Sequence, residues 1–195
     1  DKHWSRGLGD VYKRQNQAKG EQYLRAIQEG AGESEIVAED LGMVPDYVPG
    51  SLEAMGMSGM KVPMWESQPD GEFKHLLSYP YLSLATYATH DHEPIKTQWE
   101  HHRRITVEGQ PADEVNSAWA FLHRLARYAN YPEAEKDPVP EFSDQLKDAL
   151  LKAIFGSTSK YAAVMITDLL GLEDRFNVPV VLSNENWTTR LSMTV

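Results

Sequence analysis

Four short apolar runs, at 35–38, 59–65, 84–89 and 161–167, alternate with longer segments whose apolar residues recur at spacings of three and four. That order constrains the fold more than any other feature of the chain. Strands separated by helices have room for crossover connections, so they pair in parallel, with right-handed crossovers and helices laid on the sheet. The expectation is an α/β chain of about four βα units. A closed (β/α)8 barrel needs eight strands, so the pattern corresponds to half of one.

The helical segments differ in clarity. Within 112–131, Val115, Trp119, Leu122 and Leu125 or Ala126 form an amphipathic stripe that places Trp119 in the core. Ser143 is a candidate N-cap for a helix presenting Leu146, Ala149, Leu150, Ala153 and Ile154 and stopped by Gly156. Tyr23, Leu24 and Ile27 predict a helix over 16–29, another runs to about Met55 with Pro49 in its first turn, and 94–104 reads as a charged helix. Pro63 cannot donate to a sheet ladder and should end the second strand. Pro69-Asp70-Gly71 marks a turn in the long loop 66–83, and the proline-rich stretch 132–140 reads as a linker.

With 195 residues, 41% of them apolar, the chain can bury one sizeable core. Its formal net charge of −10 argues against nucleic-acid and anionic-membrane partners. Cysteine is absent, which excludes disulfides, thiolate nucleophiles and Cys-based zinc sites. No apolar run reaches the roughly eighteen residues of a membrane span, and no signal-peptide core is visible, so the expectation is a soluble, cytoplasmic protein. Residues 1–15 show neither strand nor helix periodicity. Their Arg6-Gly7-Leu8-Gly9-Asp10-Val11-Tyr12-Lys13-Arg14-Gln15 resembles a translated adapter sequence, so 1–15 are expected to be a non-native read-through segment on a truncated reading frame.

Two acidic motifs carry the candidate chemistry. Ala38-Glu39-Asp40-Leu41-Gly42 follows the run Ile36-Val37-Ala38, and Thr89-His90-Asp91-His92 follows Leu84-Ala85-Thr86-Tyr87-Ala88. The carboxyl ends of parallel barrel strands face one cleft, so carboxylates about fifty residues apart can meet there. Glu39 and Asp91 are therefore expected on one rim of the sheet. Paired carboxylates in a cleft serve glycosidic-bond chemistry, one as proton donor and one stabilising positive charge on the sugar. The donor, Glu39, should then be sheltered from water so that it holds its proton. Two blander readings compete: Glu39-Asp40 as a solvated cap of the next helix, and Asp91 as an Asx-turn residue. A sharper rival is metal ligation by His90 and His92, with His101 and His102 following, although a third ligand at fixed spacing is missing. Trp65, Tyr79, Tyr81, Trp99 and Trp187 are candidates for stacking on sugar faces. Asn184 and Asn186 could bond hydroxyls.

In order, Ile36-Val37-Ala38-Glu39-Asp40-Leu41-Gly42, Gly59-Met60-Lys61-Val62, Thr89-His90-Asp91, Asp168-Leu169-Leu170-Gly171-Leu172 and Asn186-Trp187 resemble the C-terminal half of 4-alpha-glucanotransferases (amylomaltases, glycoside hydrolase family 77). The resemblance spans roughly 20–191. It implies that 16–195 form the C-terminal half of a TIM barrel of the α-amylase clan, one that transfers α-1,4-glucan segments between maltooligosaccharides with retention at the anomeric carbon. By the resemblance, Glu39 matches the general acid/base, Asp91 the transition-state stabiliser and His90 a sugar-holding histidine. Trp65, Asn186 and Trp187 are the further substrate-binding candidates. No cofactor or metal is expected, and the partner is a maltooligosaccharide or a starch- or glycogen-derived glucan. A clan hydrolase is the near alternative.

Three departures stand out. The family's Arg-x-Asp-His nucleophile motif does not occur in these residues, so the chain is expected to be inactive by itself. His92-Glu93-Pro94 and Val178-Pro179-Val180-Val181 stand where Asn-Asp and Val-Pro-Gly-Thr are usual.

Overall fold

The computed structural model describes residues 2–108, 110–134 and 136–191, with side chains from residue 12 onward. The chain is α/β, with the elements α1 (Lys2–Ala31), β1 (Val37–Ala38), α2 (Val48–Ala54), β2 (Ser58–Lys61), β3 (Ser83–Ala85), α3 (Ile95–Val107), α4 (Ala112–Tyr128), α5 (Asp144–Phe155), β4 (Tyr161–Ala162) and α6 (Ile166–Leu170). The strands follow sequence order in one four-stranded sheet, and β1 pairs with β2 in parallel, Val37 opposite Ser58 and Ala38 opposite Gly59. No helix among the described residues is long and apolar enough to cross a membrane.

The chain divides into two compact units, one comprising residues up to Met60 with Tyr81–Leu84, the other Lys61–Pro80 and residues from 85 onward. In the first unit, α1 continues through the segment that showed no period. Lys13 pairs with Asp46 at 2.5 Å, and Glu21 accepts the Ser51 hydroxyl at 2.8 Å. The expected stripe is helical but outward-facing, with Tyr23 63% and Ile27 55% exposed; periodicity fixes a helix and says nothing of what covers it. Pro49 lies in the first turn of α2, as its missing N–H allows. Leu52 and Met57 are buried.

The second unit holds the larger core. Trp99, Leu122, Leu125, Leu146, Leu150 and Ile154 pack where α3, α4 and α5 meet, nearly or wholly excluded from water. Ser143 caps α5 by accepting the Leu146 N–H at 3.2 Å. Pro63 ends the second strand as expected, opening a 3₁₀ turn at Pro63–Trp65.

Four expectations change. The stretch 132–140 is not a loose linker, because Ala134 and Val139 are buried in the core and Pro140 accepts the Trp99 indole N–H at 3.0 Å. That bond and Trp99's complete burial also remove it from the sugar-stacking candidates. Tyr79 goes the same way, 4% exposed with its hydroxyl on that of Tyr128. The fourth strand is two residues long, and Ile166–Leu170 is helical, ended by Gly171 at φ 67° in the left-handed conformation that favours glycine.

Candidate active site

In the first unit, Glu39 and Asp40 leave the carboxyl end of β1. The Asp40 side chain is fixed: Oδ1 accepts the Met60 N–H at 2.6 Å, tying the end of β1 to β2. Gly59 makes this possible. A β-carbon there would lie 2.6 and 2.9 Å from the two Asp40 carboxylate oxygens, closer than carbon and oxygen can pack, so Asp40 occupies the notch that the glycine leaves. Glu39 is exposed, and no described residue hydrogen-bonds its carboxylate. The expected shelter is missing because β1 is a two-residue edge strand and Glu39 follows its last residue.

In the second unit, Asp91 lies in a turn just beyond β3. The turn closes on itself: Thr89 O accepts the His92 N–H at 3.1 Å, and the Thr89 hydroxyl accepts the Asp91 N–H at 3.4 Å. His92 Nδ1 receives the Thr89 N–H at 3.3 Å and lies 2.8 Å from the Thr89 hydroxyl. An N–H aimed at Nδ1 makes that nitrogen the acceptor, so the ring proton resides on Nε2.

Each histidine flanking Asp91 carries a tryptophan. Trp65 meets His92 edge-on with ring centres 4.6 Å apart, and Trp187 lies tilted against His90 at 5.1 Å. Both indoles remain about half exposed, at 47% and 59%, with apolar faces available to a ligand. Trp187 adopts φ 65°, a backbone conformation costly for a bulky residue and concentrated at functional positions.

The Asp91 carboxylate is held from a distance in sequence. Asn177 Nδ2 donates to Oδ1 at 2.5 Å, and His90 Nε2 lies 3.2 Å from the same oxygen. Arg175 donates through Nη2 to the Asp91 carbonyl at 2.7 Å, through Nε to Asn177 O at 2.8 Å, and reaches Glu93 at 3.4 Å. Arg175 and Asn177 were not among the residues singled out from sequence; their signal was only an arginine and an asparagine two apart, shortly after the Asp168 motif. A cavity of about 350 Å³ adjoins, lined by Trp65, Asp91, His92, Glu93, Gln98 and Arg175 among others.

Asn186 acts locally. Its carbonyl accepts the Val178 N–H at 3.1 Å and its amide donates to Val178 O and Val181 O, closing the loop that ends at Trp187. Val180 in that loop sits at φ 67°, where a β-branched side chain is strained. Its position is the one where glycine is usual in the resembling family.

Two further groups bear on the site. His102 stacks flat on Phe121 at 4.0 Å and donates from Nδ1 to Gln98 O at 2.7 Å; burial lowers its pKa. Among the described residues, no three of His, Asp and Glu gather as a metal ion would require. Asp168, 1% exposed, accepts the Ile95 N–H on Oδ1 at 2.8 Å and so caps α3 four residues after Asp91. Its Oδ2 is buried without a hydrogen-bond partner among the described residues. Burial raises its pKa to about 6, against the lowering effect of the Ile95 bond.

Comparison with known proteins gives the setting. The sequence profile described as 4-alpha-glucanotransferase, glycoside hydrolase family 77, matches residues 9–194. A 4-alpha-glucanotransferase of Streptococcus pneumoniae is 31% identical over 178 residues, covering 89% of this chain and 30% of the relative, and one of Haemophilus influenzae is 30% identical over 186 residues, covering 87% and 26%. Among solved structures, the amylomaltase of Corynebacterium glutamicum superimposes with a TM-score of 0.60 at 22% identity, over 79% of this chain and 24% of its own. The amylomaltase of Streptococcus agalactiae, solved in complex with acarbose, gives 0.58 at 20%, over 85% and 29%. The chain thus spans under a third of the length of these relatives. With a profile match running through both acidic motifs and nearly all of its length, the chain belongs to the 4-alpha-glucanotransferase family.

Proposed function

We propose that this chain contributes the acid/base and charge-stabilising groups of an α-1,4-glucan transfer reaction. The four βα units correspond, in this reading, to half of a (β/α)8 barrel. Glu39 protonates the departing glucosyl oxygen and later takes the proton of the incoming acceptor hydroxyl. Asp91 stabilises the oxocarbenium-like transition state, while His90, Trp65 and Trp187 hold the sugar.

The observation that carries this reading is the placement of Asp91 between two histidine–tryptophan pairs beside a cavity of about 350 Å³. A neutral ligand with apolar ring faces and many hydroxyls suits such a setting: indoles cover the faces, and a carboxylate and imidazoles bond the hydroxyls. Family membership narrows the ligand to an α-glucan.

Titrating the 195-residue chain with maltoheptaose, followed by tryptophan fluorescence and calorimetry, tests the binding half. Saturable binding weakened at least tenfold by Asp91→Asn is expected, and no binding would refute the reading. The chemical half needs the nucleophile motif that these residues lack, so the chain alone should not scramble maltotriose. In a protein that also carries that motif, Glu39→Gln and Asp91→Asn should each cut disproportionation by orders of magnitude, with Asp40→Asn costing much less. Glucose release outweighing chain-length scrambling would favour a hydrolase of the same clan.

A further inference from the structure

We infer that Asn177 is the positioning residue of Asp91, presenting one carboxylate oxygen to the ligand by holding the other. The inference rests on the proposed role of Asp91. Oδ1 is occupied twice, by the Asn177 amide at 2.5 Å and by His90 Nε2 at 3.2 Å. Oδ2 accepts no hydrogen bond from the described residues. The amide contact fixes the plane of the carboxylate about the Cβ–Cγ bond, and with it the direction in which the second oxygen points. Arg175 completes the clamp on the main chain, fixing the Asp91 carbonyl at 2.7 Å and orienting Asn177 through its carbonyl at 2.8 Å. Asp91 is thereby set in both backbone and side chain by one segment 84 to 86 residues further along.

An amide suits this task in a way a carboxylate does not. Asparagine offers N–H donors to a carboxylate at every pH, without adding charge. Aspartate at 177 would do so only while the pair shares a proton, because two ionised carboxylates at that separation repel. The charged or titratable groups around Asp91 are His90 on Oδ1, Arg175 on its carbonyl, Glu93 beyond Arg175, and His92 next in the chain. All are common to the wild type and the variants, so ratios of variant to wild type at each pH isolate position 177.

The test uses the 195-residue chain, maltoheptaose as probe, and Asn177→Ala, Asn177→Asp and the exchanged pair Asp91→Asn with Asn177→Asp. Asn177→Ala should weaken binding at least tenfold at every pH. Asn177→Asp should bind within about threefold of wild type near pH 5 and fall to the level of Asn177→Ala near pH 8. Without ligand, the urea midpoint of Asn177→Asp should drop at pH 8 and return in the exchanged pair, where amide again meets carboxylate. Binding should not return, because the carboxylate now stands at 177. A role confined to folding would restore both together.

Binding by Asn177→Ala within twofold of wild type would overturn the inference, as would an exchanged pair that regains no stability. If the wild type binds no maltoheptaose, the glucan reading fails, and the urea series still decides whether residue 177 holds residue 91.

Discussion

Removing the charge of Asp168 should change how stability depends on pH, with a sign opposite to that of an ordinary surface carboxylate. Asp168 is 1% exposed, Oδ2 has no partner among the described residues, and its pKa rises from 3.8 to about 6. At 1.36 kcal/mol per pH unit, that displacement corresponds to about 3 kcal/mol. The folded state holds the proton more tightly than the unfolded chain does. The stabilising proton is therefore fully bound below pH 3.8, and stability is lost as pH rises through 6. The positive end of α3 opposes this by favouring the ionised form, an effect of about 0.3–2 kcal/mol. Desolvation is larger, so the sign stands. Asp168→Asn keeps an oxygen for the Ile95 N–H and cannot titrate. Urea unfolding of both proteins at pH 4, 5, 6 and 7, followed by tryptophan fluorescence, gives the stability difference at each pH, from which groups common to both cancel. The variant should gain on the wild type by about 2–3 kcal/mol between pH 4 and pH 7. A flat difference, or a wild type gaining as pH rises, would refute the reasoning.

Gly59→Ala should destabilise the chain by about 1–3 kcal/mol, because its methyl would overlap the Asp40 carboxylate at 2.6 Å; Asp40→Ala in the same background should recover part of the loss in urea unfolding. Val180→Gly should raise stability by about 1 kcal/mol, relieving a side chain 103% exposed at φ 67°; calorimetry would show the higher Tm. Trp99→Ala should cost about 3–5 kcal/mol as a core deletion, whereas Trp187→Ala should leave the urea midpoint almost unmoved and weaken maltoheptaose binding.

What the sequence revealed follows from the range over which each signal acts. Helices α4 and α5 were legible because Val115 to Ala126 and Leu146 to Ile154 repeat at helical spacing and Ser143 and Gly156 punctuate the latter. The end of the fourth strand was less legible. Tyr161 to Thr167 reads as a strand, yet Met165 begins a turn into a five-residue helix too short to leave a periodic trace. Aromatic identity did not reveal burial: Trp99 and Trp187 look alike as candidates, and only the packing of α3 against α4 and α5 places one in the core. Asn177 left no local mark because its partner is 86 residues away. Asn186 was noticed for its amide, whose bonds are spent on its own loop.

The turn around Asp91 has consequences in time as well as in space. Its internal bonds join residues no more than three apart, so the turn can form as soon as that stretch of chain collapses. The clamp closes only when a segment more than eighty residues on has been delivered, which places it among the later contacts. In the folded protein the same order runs backwards. The segment 175–177 lies outside the helical core and can open while that core stays intact, releasing Asp91 to rotate in a turn that is still formed. Amide exchange should accordingly be faster at 175–177 than at Leu122 or Leu150, with the ligand-ready orientation of Asp91 lasting only as long as that segment stays closed.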